Sequence, residues 1–173
     1  MDFLNPDEVL NQINLRSDMT AADFGSSSGG FTIPLAKRLE DGLVYALDIQ
    51  EAPLSSLKGL LFFKRIKNVR IIRCDLEKPH GSTLPDSSLD LVLISNVLFQ
   101  SDNKNAILKE AERVLRQKGE LVVIDWLKKV SQGPNKGRVS SEEVKKLSEK
   151  LNFKLKKEFQ PGKYHFGLIF IKK

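Results

Sequence analysis

The chain has 173 residues, of which 40% are hydrophobic and 29% are charged, and this length suffices to bury the core of one domain. Its formal net charge is +6, and its single cysteine, Cys74, excludes a scaffold held by internal disulfides. Two histidines and one thiol also leave no recognisable zinc cluster. We therefore predict one domain over residues 1–173 and no metal.

The N-terminal run MDFLNPDEVL has neither the basic flank nor the apolar core of a signal peptide. No apolar run reaches the length that spans a bilayer. We expect a cytoplasmic, monomeric protein with no membrane partner.

The excess positive charge lies in the C-terminal third. Residues 120–173 hold 13 basic and 6 acidic side chains, whereas residues 1–119 hold 15 and 16. Such a patch could attract RNA, but aromatic residues do not alternate with these lysines as a single-strand binder requires. Nucleic acid is therefore an alternative partner that we do not favour, and a solvated surface is the commoner explanation.

The first predicted element is a short helix over residues 6–15. Pro6 stands at a plausible first helical position, and Val9, Leu10 and Ile13 fall along one side. A strand over Met19–Phe24 follows.

A glycine-serine turn, GSSSGG, joins this strand to a predicted helix over Phe31–Leu39. Glycine permits backbone shapes that other residues avoid, and a helix start offers free N–H groups to an anionic group. The glycines fall as G-x-x-x-G-G, with Asp23 two residues before the first. The dinucleotide fingerprint G-x-G-x-x-G is spaced differently.

Residues 43–48, LVYALD, read as a buried strand that ends in Asp48. A carboxylate at the end of the second strand can accept both hydroxyls of a ribose. Asp48 follows Gly29 by 19 residues, close to the separation expected for strand, helix and strand. Ile49 and Gln50 would then flank the base.

The remaining elements alternate in the same way. Gly119 is predicted to end a helix that Asp102 or Asn103 caps, and Ser140 or Ser141 is predicted to cap a later one. The predicted elements are a helix over 52–66, a strand over 68–77, a strand over Leu89–Ile94, a helix over 102–120, a strand over 120–126, a mobile loop up to 140, a helix from 141, and two strands joined around Pro161-Gly162.

The acidic-x-G-x-x-x-G turn, the paired Asp48, and the phrase L-R-x-x-G-x-L-V-V-x-D-W near residue 120 together resemble class I S-adenosylmethionine-dependent methyltransferases. Within that family the chain is similar to the small ubiquinone-biosynthesis and arsenite-methyltransferase type. The resemblance implies an α/β three-layer sandwich. Its seven-stranded, mostly parallel sheet would have the order 3-2-1-4-5-7-6, with the last strand antiparallel.

The resemblance also implies S-adenosylmethionine as cofactor, S-adenosylhomocysteine as product, and two sets of site residues. The implied cofactor-binding residues are Asp23, Gly25, Ser26, Ser27, Ser28, Gly29, Phe31, Asp48, Ile49, Gln50, Cys74, Asp75, Leu76, Ser95 and Asn96. The residues expected to orient the acceptor are Asn96, Gln100, Tyr164 and His165, with Asp125 as a further candidate. If a base is needed, His165 is the only plausible histidine.

Two departures from the family pattern bear on function. Ser27 stands where the usual pattern carries a glycine, and Gln100 stands where relatives often carry a histidine. No N-P-P-Y or D-P-P-Y sequence is present, which argues against the amines of DNA bases and glutamine as acceptors. We favour a small molecule or a protein side chain as the methyl acceptor, and an open face would also admit a larger substrate.

Two other interpretations share parts of this pattern. A nicotinamide-dependent oxidoreductase would share the first half of the chain, but it has no use for the terminal hairpin and prefers tighter glycine spacing. A methyltransferase-like module that binds S-adenosylmethionine with little catalysis would explain Ser27 and the absent histidine.

Overall fold

The computed structural model describes residues 4–173, which form an α/β sandwich around one sheet. The helices are α1 (Pro6–Leu10), α2 (Thr32–Arg38), α3 (Glu51–Phe63), α4 (Lys104–Val114) and α5 (Ser141–Glu149), with a 3-10 turn at Leu98–Gln100. The strands are β1 (Thr20–Phe24), β2 (Leu43–Asp48), β3 (Val69–Arg73), β4 (Leu89–Ser95), β5 (Leu115–Trp126), β6 (Phe153–Phe159) and β7 (His165–Lys172).

The sheet has the order β3-β2-β1-β4-β5-β7-β6, which confirms the predicted topology. Strands β1 to β5 pair in parallel, whereas β7 runs antiparallel to both β5 and β6. The strand order reverses direction beside β1, because β2 lies on one side of it and β4 on the other. Asp23 is paired in register with Ala46 and Leu93, so the carboxyl ends of these three strands meet at one edge.

Helices cover both faces of the sheet and bury its apolar side chains. On one face, α1, α2 and α3 pack through residues such as Leu10, Leu35 and Leu57. On the other face, α4 and α5 pack through residues such as Leu108 and Val144. Within residues 4–173, no helix is long and apolar enough to cross a bilayer.

Three predicted elements are shorter than the sequence suggested. The first helix ends at Leu10 rather than at residue 15. Helix α3 ends at Phe63 because Arg65 takes a left-handed conformation (φ 57°), and the N–H of Ile66 then bonds the carbonyl of Leu61. Strand β3 ends at Arg73, after which the chain turns.

The boundary between α4 and β5 was predicted wrongly. The helix ends at Val114, not at Gly119, and Leu115 already lies in the sheet opposite Leu89. The cause is burial, because both leucines are fully buried in the core there. Residues 116–119 form an irregular step in the ladder before regular pairing resumes at Glu120.

A buried ion pair fixes α4 against the loop that precedes β4. Glu110, only 4% exposed, accepts hydrogen bonds from the backbone N–H of Ser82 at 3.0 Å and from its hydroxyl at 2.5 Å. Arg113 donates to both oxygens of Glu110, at 2.7 and 3.0 Å, and also to Asp86. These donors hold the pKa of Glu110 below its usual value, although burial opposes them.

We predict that Glu110→Ala lowers the free energy of unfolding by about 3 kcal/mol, because it leaves Arg113 without its buried partner. Urea unfolding curves of the two proteins measure this difference. The matched control is Lys109→Ala, one residue earlier on the exposed side of α4. It should change stability by less than about 0.5 kcal/mol. Equal stability of the Glu110 variant and the wild type would contradict a structural role for the pair.

Candidate functional site

A cavity of about 670 Å³ opens at the carboxyl ends of the central strands, where the strand order reverses beside β1. Open α/β sheets bind ligands at this position, and the volume lies in the range of small-molecule sites. The lining residues are Leu4, Asp23, Gly25, Ser26, Ser27, Gly30, Phe31, Asp48, Ile49, Gln50, Pro53, Cys74, Asp75, Leu76, Glu77, Ser95, Asn96, Val97, Phe99, Gln100, Ser101, Ile107 and Trp126.

The loop after β1 depends on two left-handed glycines. Gly25 (φ 78°) donates its N–H to the carbonyl of Leu47 at 2.8 Å, and a Cβ there would collide with Val97. Gly29 (φ 94°) packs equally closely on Leu57 of α3. Gly30 differs, because a Cβ there would meet no atom within 4 Å.

Ser27 shows how the chain tolerates a side chain where a glycine was expected. It adopts φ 48°, and its side chain is exposed. A left-handed serine is strained relative to glycine, and its backbone N–H is fixed by the carboxylate of Asp48 at 2.8 Å. The hydrogen bond therefore holds the strained residue in place.

Asp48 joins the ends of β1 and β2. One of its oxygens accepts from Ser27, and the other accepts from the N–H of Gln50 at 2.9 Å. Each carboxylate oxygen has a further lone pair. Asp48 can therefore hold the loop and still accept hydrogen bonds from a ligand in the cavity.

Asp23 is the most deeply buried acid of the cavity, at 2% exposure. The hydroxyl of Thr32, the first residue of α2, donates to it at 2.6 Å. Burial raises the pKa of Asp23 to about 6, with the Thr32 hydrogen bond acting in the opposite direction. At neutral pH the carboxylate is therefore charged at a cost in folding free energy.

The chain beyond β3 supplies the next wall. The side chain of Asp75 accepts the N–H of Glu77 at 3.0 Å, which turns the chain into the cavity. Glu77 in turn accepts the N–H groups of Asp102 and Asn103 at 3.2 and 3.1 Å, just before α4. Cys74 also lines this wall, and burial raises the pKa of its thiol to about 12, so it is a neutral lining group.

The opposite wall follows β4. Asn96 takes the left-handed conformation (φ 57°), which asparagine tolerates better than most residues, and its N–H bonds the carbonyl of Ile124 at 2.9 Å. The amide of Gln100 donates to the Asn96 carbonyl at 3.1 Å. Phe99, between them, faces the same cavity.

Asp125 is a support of this wall and does not line the cavity. It is fully buried, and its carboxylate accepts the N–H of Phe99 at 3.1 Å and that of Trp126 at 2.8 Å. Burial raises the pKa of Asp125 to about 6, and these hydrogen bonds oppose the change. Asp125 thus positions two of the three aromatic residues that line the cavity, Phe99 and Trp126.

Trp126 is held between two neighbours. Its ring lies 4.2 Å from that of His165, centroid to centroid, and Gly133 approaches the indole so closely that a Cβ would collide with it. His165 itself is 1% exposed and does not line the cavity, and burial lowers the pKa of its imidazole. His165 is the cross-strand partner of Trp126, so the structure places it beside Trp126 and outside the cavity lining.

Arg138 organises the loop that follows β5. Its guanidinium donates to the carbonyls of Leu127, Val130, Gln132 and Pro134, at 2.9, 2.8, 2.5 and 2.6 Å. Gly137 beside it packs against the carbonyl of Phe99. One side chain thus shapes the loop that contacts the Trp126 ring and the Phe99 backbone.

The charge of the cavity is opposite to that of the chain. The carboxylates of Asp23, Asp48, Asp75 and Glu77 line it, and within the described residues no lysine, arginine or histidine does. Such a site favours a cationic ligand over an anionic one.

Three buried polar atoms of the cavity have no hydrogen-bond partner among residues 4–173. They are the hydroxyls of Ser26 and Ser101 and the amide oxygen of Asn96. Buried polar groups are almost always satisfied. These three atoms therefore fit a polar ligand, and the open space at Gly30 leaves room for it.

The predicted site residues divide into two groups. Those that the structure brings to the cavity are Asp23, Gly25, Ser26, Ser27, Phe31, Asp48, Ile49, Gln50, Cys74, Asp75, Leu76, Ser95, Asn96 and Gln100. Ser28, Gly29, Tyr164 and His165 do not line it. Sequence reasoning missed Leu4, Pro53, Glu77, Phe99 and Ser101; only Glu77 carried a signal, since it follows Asp75 at the end of a strand.

Comparison with known proteins identifies the family. Residues 15–163 match a family model described as a methyltransferase domain. The ubiquinone/menaquinone biosynthesis C-methyltransferase UbiE of Paraburkholderia phymatum is 31% identical over 121 residues, which are 69% of this chain and 48% of that protein. The chain thus spans about half the length of the curated relatives that it matches.

Solved structures agree with the sequence matches. An S-adenosylmethionine-dependent methyltransferase from Aquifex aeolicus superposes with a TM-score of 0.89 at 27% identity, over 99% of this chain and 92% of that one. An arsenic(III) S-adenosylmethionine methyltransferase from Chlamydomonas reinhardtii has the same fold at 22% identity, with a TM-score of 0.73 over 93% of this chain and 66% of that one. The chain belongs to the class I S-adenosylmethionine-dependent methyltransferase family.

Proposed function

We propose that this protein transfers the methyl group of S-adenosylmethionine to a small, flat organic acceptor. The observation that carries the proposal is the direct contact between the loop after β1 and Asp48, within a cavity lined by carboxylates and by no basic side chain. S-adenosylmethionine supplies an electrophilic methyl group on a positively charged sulfur, which suits this charge pattern.

The proposed cofactor half of the cavity lies between β1 and β3. Asp48 would accept the ribose hydroxyls with its remaining lone pairs, since it ends the second strand. Asp75 would accept the amino group of the adenine, with Ile49 and Leu76 against the ring. Ser26, whose hydroxyl is buried and unpartnered, would bond the amino-acid end.

The proposed acceptor half lies along β4 and the start of α4. Phe99, Trp126 and Ile107 give it apolar walls, and Asn96 and Ser101 add unpartnered polar atoms. Flat aromatic walls suit a ring-containing acceptor, and the names of the curated relatives refer to the biosynthesis of ubiquinone and menaquinone, which are quinones. Holding such an acceptor in line with the methyl group is the main catalytic task.

We assign no general base to the transfer. Gln100 stands where relatives of this type often have a histidine, and His165 does not line the cavity. An acceptor that is already nucleophilic, such as a deprotonated phenol, would need only alignment by Asn96 and Gln100. We propose these two residues as acceptor-orienting groups.

The charge of the cavity disfavours the nicotinamide alternative. A dinucleotide brings a negatively charged pyrophosphate, and four carboxylates with no lining cation would repel it. A methyltransferase-like module that binds S-adenosylmethionine with little catalysis is the second candidate, because Ser27 and Gln100 depart from the family pattern.

Binding and turnover assays separate these three functions. We expect S-adenosylhomocysteine to bind in a calorimetric titration while NADH does not, and labelled methyl from S-adenosylmethionine to enter the small-molecule fraction of a cell lysate. NADH binding without S-adenosylhomocysteine binding would overturn the proposal. Label in protein or RNA alone would reject the acceptor class, and cofactor binding with no label in any fraction would favour the binding module.

We predict that Asp48→Ala weakens S-adenosylhomocysteine binding by about 1 to 3 kcal/mol, because charged hydrogen bonds to the ribose are lost. Asp48→Asn should lose less of the binding free energy, since the asparagine side chain keeps one oxygen acceptor. Glu51→Ala is the matched control, because this nearby carboxylate pairs with Arg73 on the surface and does not line the cavity. Unchanged affinity of the Asp48 variants in calorimetry would show that the ribose lies elsewhere.

We predict that Asp23→Asn changes the pH dependence of stability. The pKa of Asp23 is 3.8 unfolded and about 6 folded, so the folded chain binds more protons between these values. The stabilisation that protonated Asp23 gives to the folded wild type is therefore full below about pH 4 and is lost as the pH rises through 6. The stability of the variant relative to the wild type should therefore rise by about 2 kcal/mol between pH 4 and pH 6.

Urea unfolding at several pH values between 4 and 7 measures that difference. The pKa of Asp125 is raised in the same direction, but Asp125 is present in both proteins, so its effect on stability cancels from the comparison. Asp102→Asn, on an exposed carboxyl, should give a curve parallel to the wild type. A parallel curve for Asp23→Asn would contradict the burial cost that we assign to this residue.

A further inference from the structure

Among the described residues 4–173, the most exposed large apolar side chains lie at the end of α3. Phe62 is 88% exposed and Phe63 is 82% exposed, and Leu60, in the preceding turn, is 38% exposed. Two adjacent phenylalanines with this exposure are unusual, because such side chains normally lie in the core. Nothing in residues 4–173 covers them.

The same segment carries a cluster of positive charge. Residues 58–73 contain six basic side chains and no acidic one. Arg73 pairs with Glu51, whereas the other five have no carboxylate partner among the described residues. These five are Lys58, Lys64, Arg65, Lys67 and Arg70, and all of them are exposed.

We propose that this aromatic-basic patch, defined as residues 58–70, docks the protein on an anionic membrane surface. Apolar side chains that enter the headgroup region and cations that meet anionic lipids are the two contributions that drive such binding. The patch offers both at one place. Its charge complements an anionic bilayer, and the end of a helix lets both rings reach the surface without unfolding the chain.

A single strand of RNA fits the patch less well. Proteins that bind single strands follow the backbone along a groove and stack bases on aromatic rings within it. Side chains that are more than 80% exposed, as Phe62 and Phe63 are, protrude from the surface instead of lining a groove. The aliphatic Leu60 also adds apolar area without offering a ring.

This mode of binding needs neither a membrane span nor a signal peptide. The sequence-based expectation of no membrane partner rested on the absence of those two features, so it does not bear on surface docking. The patch lies where α3 ends, at the amino-terminal edge of the sheet, whereas the cavity opens at the carboxyl edge. A docked molecule would thus keep the cavity open to water, and the inference does not depend on methyl transfer.

The test is co-sedimentation of the full chain with vesicles. We expect it to bind vesicles made of equal parts phosphatidylcholine and phosphatidylglycerol and to remain in solution with phosphatidylcholine alone. Phe62→Ser with Phe63→Ser should weaken binding about tenfold or more through lost apolar burial. Lys64→Glu with Lys67→Glu should weaken it by more than about tenfold, and added salt should do the same.

The matched control is Lys150→Glu with Lys154→Glu. Lys64 and Lys150 both cap the end of a helix, and all four lysines are exposed, so the two pairs differ chiefly in position. The control should keep its vesicle affinity. All variants should retain the wild-type unfolding midpoint, since the altered side chains are exposed.

Three outcomes would overturn the proposal. The first is that the chain binds neither kind of vesicle. The second is that the patch variants and the control variant lose affinity equally, which would indicate a general effect of net charge. The third is that the chain does not bind vesicles and that the patch variants instead abolish its self-association in analytical ultracentrifugation or its binding to an RNA oligonucleotide.

Discussion

The hydrogen bond between the carboxylate of Asp48 and the backbone N–H of Ser27 is the interaction on which the site depends. It joins the ends of β1 and β2, and it holds a left-handed serine in a conformation that glycine would adopt more easily. The other oxygen of Asp48 fixes Gln50 at the start of α3. One side chain therefore sets the position of three chain segments around the cavity, which it also lines.

The opposite wall depends on groups that do not line the cavity. Asp125 holds the N–H groups of Phe99 and Trp126, and Arg138 binds four carbonyls of the loop that packs on the Trp126 ring and on the Phe99 backbone. The folding cost is visible in Asp125, whose pKa burial raises to about 6. A rigid aromatic wall is what alignment of a flat acceptor requires, since catalysis by orientation fails when the walls move.

The sheet order and most of the cavity residues were predicted through the family resemblance, and the resemblance itself rests on local signals. Glycine spacing placed the first turn, and an acid at the end of each of two strands placed Asp48 and Asp75. The misplaced end of α4 had a different cause, because Leu115 is as compatible with a helix as with a strand. Only its burial beside Leu89, a contact distant in sequence, decides between them.

The same dependence on contacts distant in sequence explains why the sequence suggested His165 as a residue that faces the acceptor. A histidine that opens the last strand can face either side of the sheet, and the sequence does not show that it packs on Trp126 outside the cavity lining. Phe99 was missed because it lies in the 3-10 turn after β4, where its N–H is held by Asp125 of a different strand. Nothing in the neighbouring sequence shows that contact.

Charge is separated across the molecule in a way that residue counts along the chain conceal. Residues 1–119 are almost neutral in sum, yet four of their carboxylates line the cavity and five of their cations without a carboxylate partner among the described residues lie in residues 58–70. The sheet keeps these two regions at opposite edges, because α3 begins beside Asp48 and ends before β3 begins. A cavity that attracts a cation and an exterior that attracts an anionic surface can therefore coexist in a small domain without neutralising each other.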